Sequence, residues 1–158
     1  ALAWLLRESR MAFPTTRRAE VDRLAVGDEL FLLTTRGCFH NPTRDRTRVV
    51  GRAVASSPVT RLDPPLELVG RTFTRGCGLQ ITSLAPYLTG VELADLVPEL
   101  DAFPDKRTWS IRLRRALVAL NQRDAAHLRE HLQSVTLSVD AARSEYLERI
   151  RPVRYRSA

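Results

Sequence analysis

The densest chemistry in this chain is cationic. Between two apolar runs, Glu29 to Thr35 and Val49 to Ala55, a loop carries Arg36, Arg44, Arg46 and Arg48 with only Asp45 to offset them. A guanidinium presents a planar fork of donors that meets phosphate oxygens two at a time, so this cluster points to a phosphate-bearing partner; the competing reading is a solvated loop. Arg112, Arg114 and Arg115 form a second basic cluster after Trp109. The histidines raise a different chemistry. His127-Leu-Arg-Glu-His131 fits the pattern in which two helical imidazoles one turn apart hold zinc and a glutamate acts as base. A catalytic centre of that type needs a further ligand from another helix, whereas Leu128 and Leu132 give this short segment an ordinary core-facing stripe, so no metal is expected. Cys38 and His40 with the distant Cys77 would supply zinc ligands only if the fold gathered them. No Gly-rich phosphate loop or Ser-His-Asp order is present, and no cofactor is implied.

Several elements must position these groups. The arginine loop reads as the tip of a long β-hairpin, entered through the breaker Gly27-Asp28 and left through Ser56-Ser57-Pro58. Leu2 to Leu6 reads as a buried strand, and Thr16 to Leu24 as a short helix capped by Thr15 or Thr16, with Val21, Leu24 and Ala25 inward. Asp63-Pro64-Pro65 reads as a rigid connector, Leu66 to Phe73 as a strand, and Gly76-Cys77-Gly78 as a tight bend before Leu79 to Ile81. Pro86, Gly90 and Pro98 break Leu84 to Leu100 into short turns over an end of the sheet. Asp105 caps a short helical segment that turns Trp109 and Leu113 inward and leaves Arg107, Arg112, Arg114 and Arg115 exposed. Ala116 to Leu120 is strand-like. Asn121 then caps a helix, with Asp124 in a capping-box-like position and Ala125, Leu128 and Leu132 as its apolar stripe. Asp140 caps a last helix whose Ala142, Tyr146, Leu147 and Ile150 share a face, before an Arg-rich tail of Arg149, Arg151, Arg154 and Arg156.

Composition sets the frame. The 158 residues, 44% hydrophobic and 27% charged, suit one globular domain. A net charge of +7 favours polyanions through a salt-screened, non-specific attraction. Lys106 is the sole lysine among 25 basic residues, a bias that a GC-rich gene would also produce, so the arginine count alone is discounted. Two cysteines are too few for a disulfide scaffold, and no signal peptide or long apolar run is visible, which makes a reducing cytoplasm the expected compartment, with no membrane partner.

Read in order, WLLRESRMAF, the Gly27-Asp28 entry to a strand, VVGRAVA, FTRGCGLQITSLAPYL and DAFPDKRTWSIRLRRALVALNQRDAAHL resemble the EVE domain of the PUA-like superfamily, relatives of YTH and ASCH domains. Phe103, Trp109, Arg114, Arg115 and Asp124 carry the order of the last block. The resemblance covers residues 2 to 132. It implies an α+β fold, a PUA-like bent mixed β-barrel flanked by short helices, spanning residues 1–134, with residues 135–158 as an added C-terminal helix and basic tail. It also implies a non-enzymatic nucleic-acid-binding module for DNA or RNA, in which a flipped, modified base enters a surface pocket. A flipped base needs an aromatic face, donors for its edge and cations for the flanking phosphates. Arg10 to Pro14 occupies the place of the pocket loop, which makes Ser9, Arg10, Met11, Phe13, Thr34 and Trp109 the pocket candidates, with Phe13 as the stacking ring. Trp4 and Trp109 read more readily as core, and Phe39 as a pin for the hairpin loop. Two other classes stand beside this one. A metal-dependent hydrolase or nuclease would use His40 or the His127 and His131 pair, and an interaction adaptor would homodimerise through residues 135–158.

Overall fold

The computed structural model describes residues 1–14, 19–35, 38, 46–68, 70–135 and 139–150. Helix α1 (Leu2–Glu8) leads into strand β1 (Arg10–Pro14) and the single turn α2 (Ala19–Asp22). Strands β2 (Glu29–Thr34), β3 (Arg48–Ala55), β4 (Thr60–Leu68), β5 (Arg71–Leu84) and β6 (Val91–Glu92) follow. Helices α3 (Leu93–Leu96), α4 (Gln122–Gln133) and α5 (Val139–Arg149) complete the chain, with 3₁₀ turns at Val97–Glu99 and Trp109–Arg114.

The fold is α+β, built on one six-stranded sheet ordered β1-β5-β3-β2, with β4 also on β5 and β6 also on β3. Every pairing among the described residues is antiparallel, where a mixed sheet was expected, and none of them closes the sheet into a ring. Strand β5 organises the rest: its first half pairs with β1 and β4, its second half with β3. Gly76 and Gly78 lie inside it rather than in the expected bend. They are there because partners approach closely: a Cβ on Gly76 would sit 2.6 Å from the carbonyl oxygen of Met11, and one on Gly78 2.5 Å from the Ser56 hydroxyl. Leu66 to Phe73 is likewise two strands and a turn, since Leu66 pairs with Phe73 and Leu68 with Arg71. The Asp63-Pro64-Pro65 connector falls within β4, at an interruption of its register between Arg61 and Leu66.

The expected hairpin is present as β2 and β3. Its run Leu30-Phe31-Leu32-Leu33 lacks polar alternation because both faces are covered. Leu30 and Leu32 pack into a first core with Leu6, Phe13, Val21, Val50, Ile81, Leu84 and Tyr146. Phe31 and Leu33 pack into a second with Val49, Leu93, Leu96, Phe103, Leu128 and Leu132. Leu2 to Leu6 is a helical turn set, not a strand; a short apolar run fits either, and here one face meets α5 and the first core. Ala25 is exposed rather than inward, and Ala116 to Leu120 forms no strand although Leu117, Val118 and Leu120 are partly buried. In α5, Ala142 and Tyr146 are buried within the chain, Ile150 packs beside them, and Leu147 turns outward. The segment set apart at residue 135 in the sequence therefore contributes Tyr146 to the first core.

Candidate nucleic-acid interface

Of the residues expected in the hairpin loop, Arg36 and Arg44 lie outside the described residues, as do Phe39 and His40. Arg46 is exposed, and no carboxylate among the described residues pairs with it. Arg48 opens β3 and is mostly buried, 3.6 Å from Glu92 of β6. Beside it Thr34, only 1% exposed, aims its hydroxyl at the Arg48 carbonyl oxygen 3.4 Å away, so Thr34 is a strand residue with no open edge for a base.

The second basic cluster sits on the 3₁₀ turn Trp109–Arg114. Asp105 shapes the approach by accepting from the Arg107 and Thr108 amides at 3.0 and 3.3 Å and from the Thr108 hydroxyl at 2.7 Å. These bonds hold the Asp105 carboxyl below its ordinary range. Trp109 meets Phe103 edge-on at 6.1 Å and, with Leu113, packs on the second core. That leaves Ile111, Arg112 and Arg114 facing solvent, and neither arginine has an ion-pair partner among the described residues. Arg115 is tied to Glu20 of α2 at 3.4 Å. Lys106 donates to the carbonyls of Val97 and Leu100 at 3.0 and 2.7 Å.

The base-pocket candidates separate. Phe13, 1% exposed, belongs to the first core and is no stacking platform; Arg10 to Pro14 is a strand paired with β5 rather than a loop. Met11 packs against the same core. Ser9 closes α1 in a left-handed conformation with φ of 50°, and Arg10 next to it is exposed. Trp4 is half-buried.

The face of α4 is the opposite case, with its charges tied. Asn121 accepts from the Asp124 amide at 2.8 Å, as the cap requires. The Asp124 carboxylate is buried and accepts from the Asp101 and Ala102 amides at 3.0 and 2.8 Å, so it fastens the preceding loop to the helix instead of completing a capping box. Asp101 accepts from Asn121 and Arg123, which keep its carboxyl below the usual range. Glu29 lies between Arg52 at 2.7 Å and Arg129 at 2.8 Å. Burial alone would raise its pKa, but the bonds from Arg129 and Arg52 outweigh that and lower it. The sequence marks Asp124 as a capping-box-like residue three after Asn121 but not its bonds to the Asp101 and Ala102 amides, which come from a segment some twenty residues earlier; Glu29, at the start of an apolar run, carries no signal of its two arginine partners. His127 meets Glu99 at 2.6 Å, and a cleft of about 350 Å³ is lined there by Glu99, Arg123, Ala126, His127 and Glu130. Burial raises the pKa of the Cys77 thiol. No three of His, Cys, Asp and Glu among the described residues gather as a metal cluster.

No helix among the described residues is long and apolar enough to cross a membrane. No family model matches this chain, and neither does any curated protein.

Proposed function

We propose that this protein is a non-enzymatic nucleic-acid-binding module of the PUA-like, EVE-like kind, holding backbone phosphates with Arg46 at the hairpin end and with Arg112 and Arg114. One observation carries the reading: these arginines are exposed and have no acidic partner among the described residues, while Arg48, Arg52, Arg75, Arg115, Arg123 and Arg129 are each committed to a carboxylate. Uncommitted guanidinium groups on a chain of net charge +7 release counterions from a phosphate backbone at no cost in internal ion pairs. An extruded base is received in this reading at the junction of α1 and β1, where Ser9 and Arg10 are accessible, and not on Phe13. The bent-barrel relationship belongs to the same proposal and is supported by β5, whose two halves serve different partner strands.

The test is a titration against short single- and double-stranded DNA and RNA, with and without base methylation, at several salt concentrations. Wild type is compared with Arg112→Gln/Arg114→Gln and with Arg10→Gln. The double variant is expected to flatten the plot of log affinity against log salt by roughly one unit per lost phosphate contact. Arg10→Gln is expected to reduce the preference among modified bases. Equal salt slopes in wild type and double variant would sink the phosphate assignment.

A further inference from the structure

His127 and His131 stand one turn apart on α4 with ring centroids 4.5 Å from each other. Each ring has one nitrogen fixed by a neighbour that only accepts protons. Nε2 of His127 lies 2.6 Å from Oε2 of Glu99 on the 3₁₀ turn Val97–Glu99, so that nitrogen carries the hydrogen. Nδ1 of His131 lies 2.9 Å from the carbonyl oxygen of His127, so there the hydrogen is on Nδ1. In the neutral rings the lone pairs are left on Nδ1 of His127 and Nε2 of His131. Metal-binding imidazoles have this arrangement: one nitrogen on the ion, the other donating to a carboxylate or a backbone carbonyl, which fixes the ring and makes it a stronger base.

The spacing suits a shared ion. Two imidazoles bound to one metal at about 2.0–2.1 Å hold their centroids roughly 4.5–5 Å apart. The His127 side chain is 29% exposed and His131 is exposed, so an ion reaches both rings from solvent. Glu99 and Glu130 line the adjoining cleft and add negative charge, while Arg123 is paired with Asp101.

We propose that His127 and His131 form a two-histidine site for a divalent transition metal, Cu²⁺, Ni²⁺ or Zn²⁺, with Glu99 and the His127 carbonyl as the outer partners of the rings. Imidazole suits these ions, and Cu²⁺ binds tightest at such a site. Water completes the coordination, because no third His, Cys, Asp or Glu among the described residues joins the pair. The site is thus an open, exchangeable one, distinct from the three-ligand catalytic centre that the H-x-x-E-H pattern suggests, and it stands independently of nucleic-acid binding.

The experiment is a calorimetric titration of the untagged chain with Cu²⁺, read alongside electron paramagnetic resonance, with Ni²⁺ and Zn²⁺ as competitors. One equivalent is expected to bind with hyperfine coupling from two imidazole nitrogens. His127→Asn and His131→Asn are each expected to weaken binding by tenfold or more, Glu99→Gln by about tenfold through the outer partner, and His40→Asn not at all. Circular dichroism confirms that α4 survives in each variant; His131 is exposed, so its replacement leaves the core intact. Affinity unchanged in both α4 variants, coupling from a single nitrogen, or absence of a one-equivalent transition overturns the proposal.

Discussion

The α4 face and the 3₁₀ turn Trp109–Arg114 lie a few residues apart in the chain and use the same residue type in opposite ways. On α4, Arg123 and Arg129 reach Asp101 and Glu29, and Glu29 also takes Arg52 from β3. Each of these guanidinium groups joins separate elements of the fold. On the 3₁₀ turn, Trp109 and Leu113 make the anchoring contacts while Arg112 and Arg114 contribute nothing to packing. An arginine count cannot distinguish the two roles; the carboxylates around each group do. Charge that is committed internally should govern stability, and charge that is uncommitted should govern affinity.

Substitutions separate the two. The largest effect is expected in the first core, apart from both regions: Phe13→Ala should cost about 3–5 kcal/mol in a urea denaturation series, and a much smaller loss would show that the ring is not buried. Asp124→Ala orphans the Asp101 and Ala102 amides and should cost about 2–4 kcal/mol, which makes it the sharpest probe of the α4 face. Glu29→Gln should cost about 1 kcal/mol, a figure kept small because its partners are partly solvated. The effect has a pH signature. Because the folded carboxyl titrates below its unfolded value, the contribution is present above about pH 4.3 and fades as pH falls through the depressed value, so wild type and Glu29→Gln should converge in acid. Smallest in stability, within about 0.5 kcal/mol, is Arg112→Gln/Arg114→Gln, whose effect should appear only in nucleic-acid binding. A double variant that unfolds as readily as Asp124→Ala would erase the distinction between the two regions.

What the sequence makes legible is local. The hairpin strands and α4 follow from β-rich runs, breakers and the Asn121 cap, all of which act within a few residues. Long-range pairing is where the reading departs. Phe13 sits among polar and turn-forming neighbours and so looks exposed, yet β5, some sixty residues later, converts its segment into a strand and buries it. Gly76 and Gly78 look like a bend because the close approach of Met11 and Ser56 is invisible in one dimension. Tyr146 was legible as part of an apolar helix face, but not as the partner of Tyr87 at 5.5 Å inside the chain's own core. At the site, the basic clusters are plain in the sequence, whereas the split between committed and uncommitted arginines depends on carboxylates from other elements.

The packing of α1 against α5 has a consequence for biosynthesis. Leu6 is synthesised well before Tyr146, the tyrosine that helps enclose it. At ordinary elongation rates, on the order of 10 s separates the two. For that interval Leu6, Phe13 and the inner face of the β2–β3 hairpin lack part of their cover, so nascent chains stalled before α5 should be the species that a ribosome-associated chaperone holds longest.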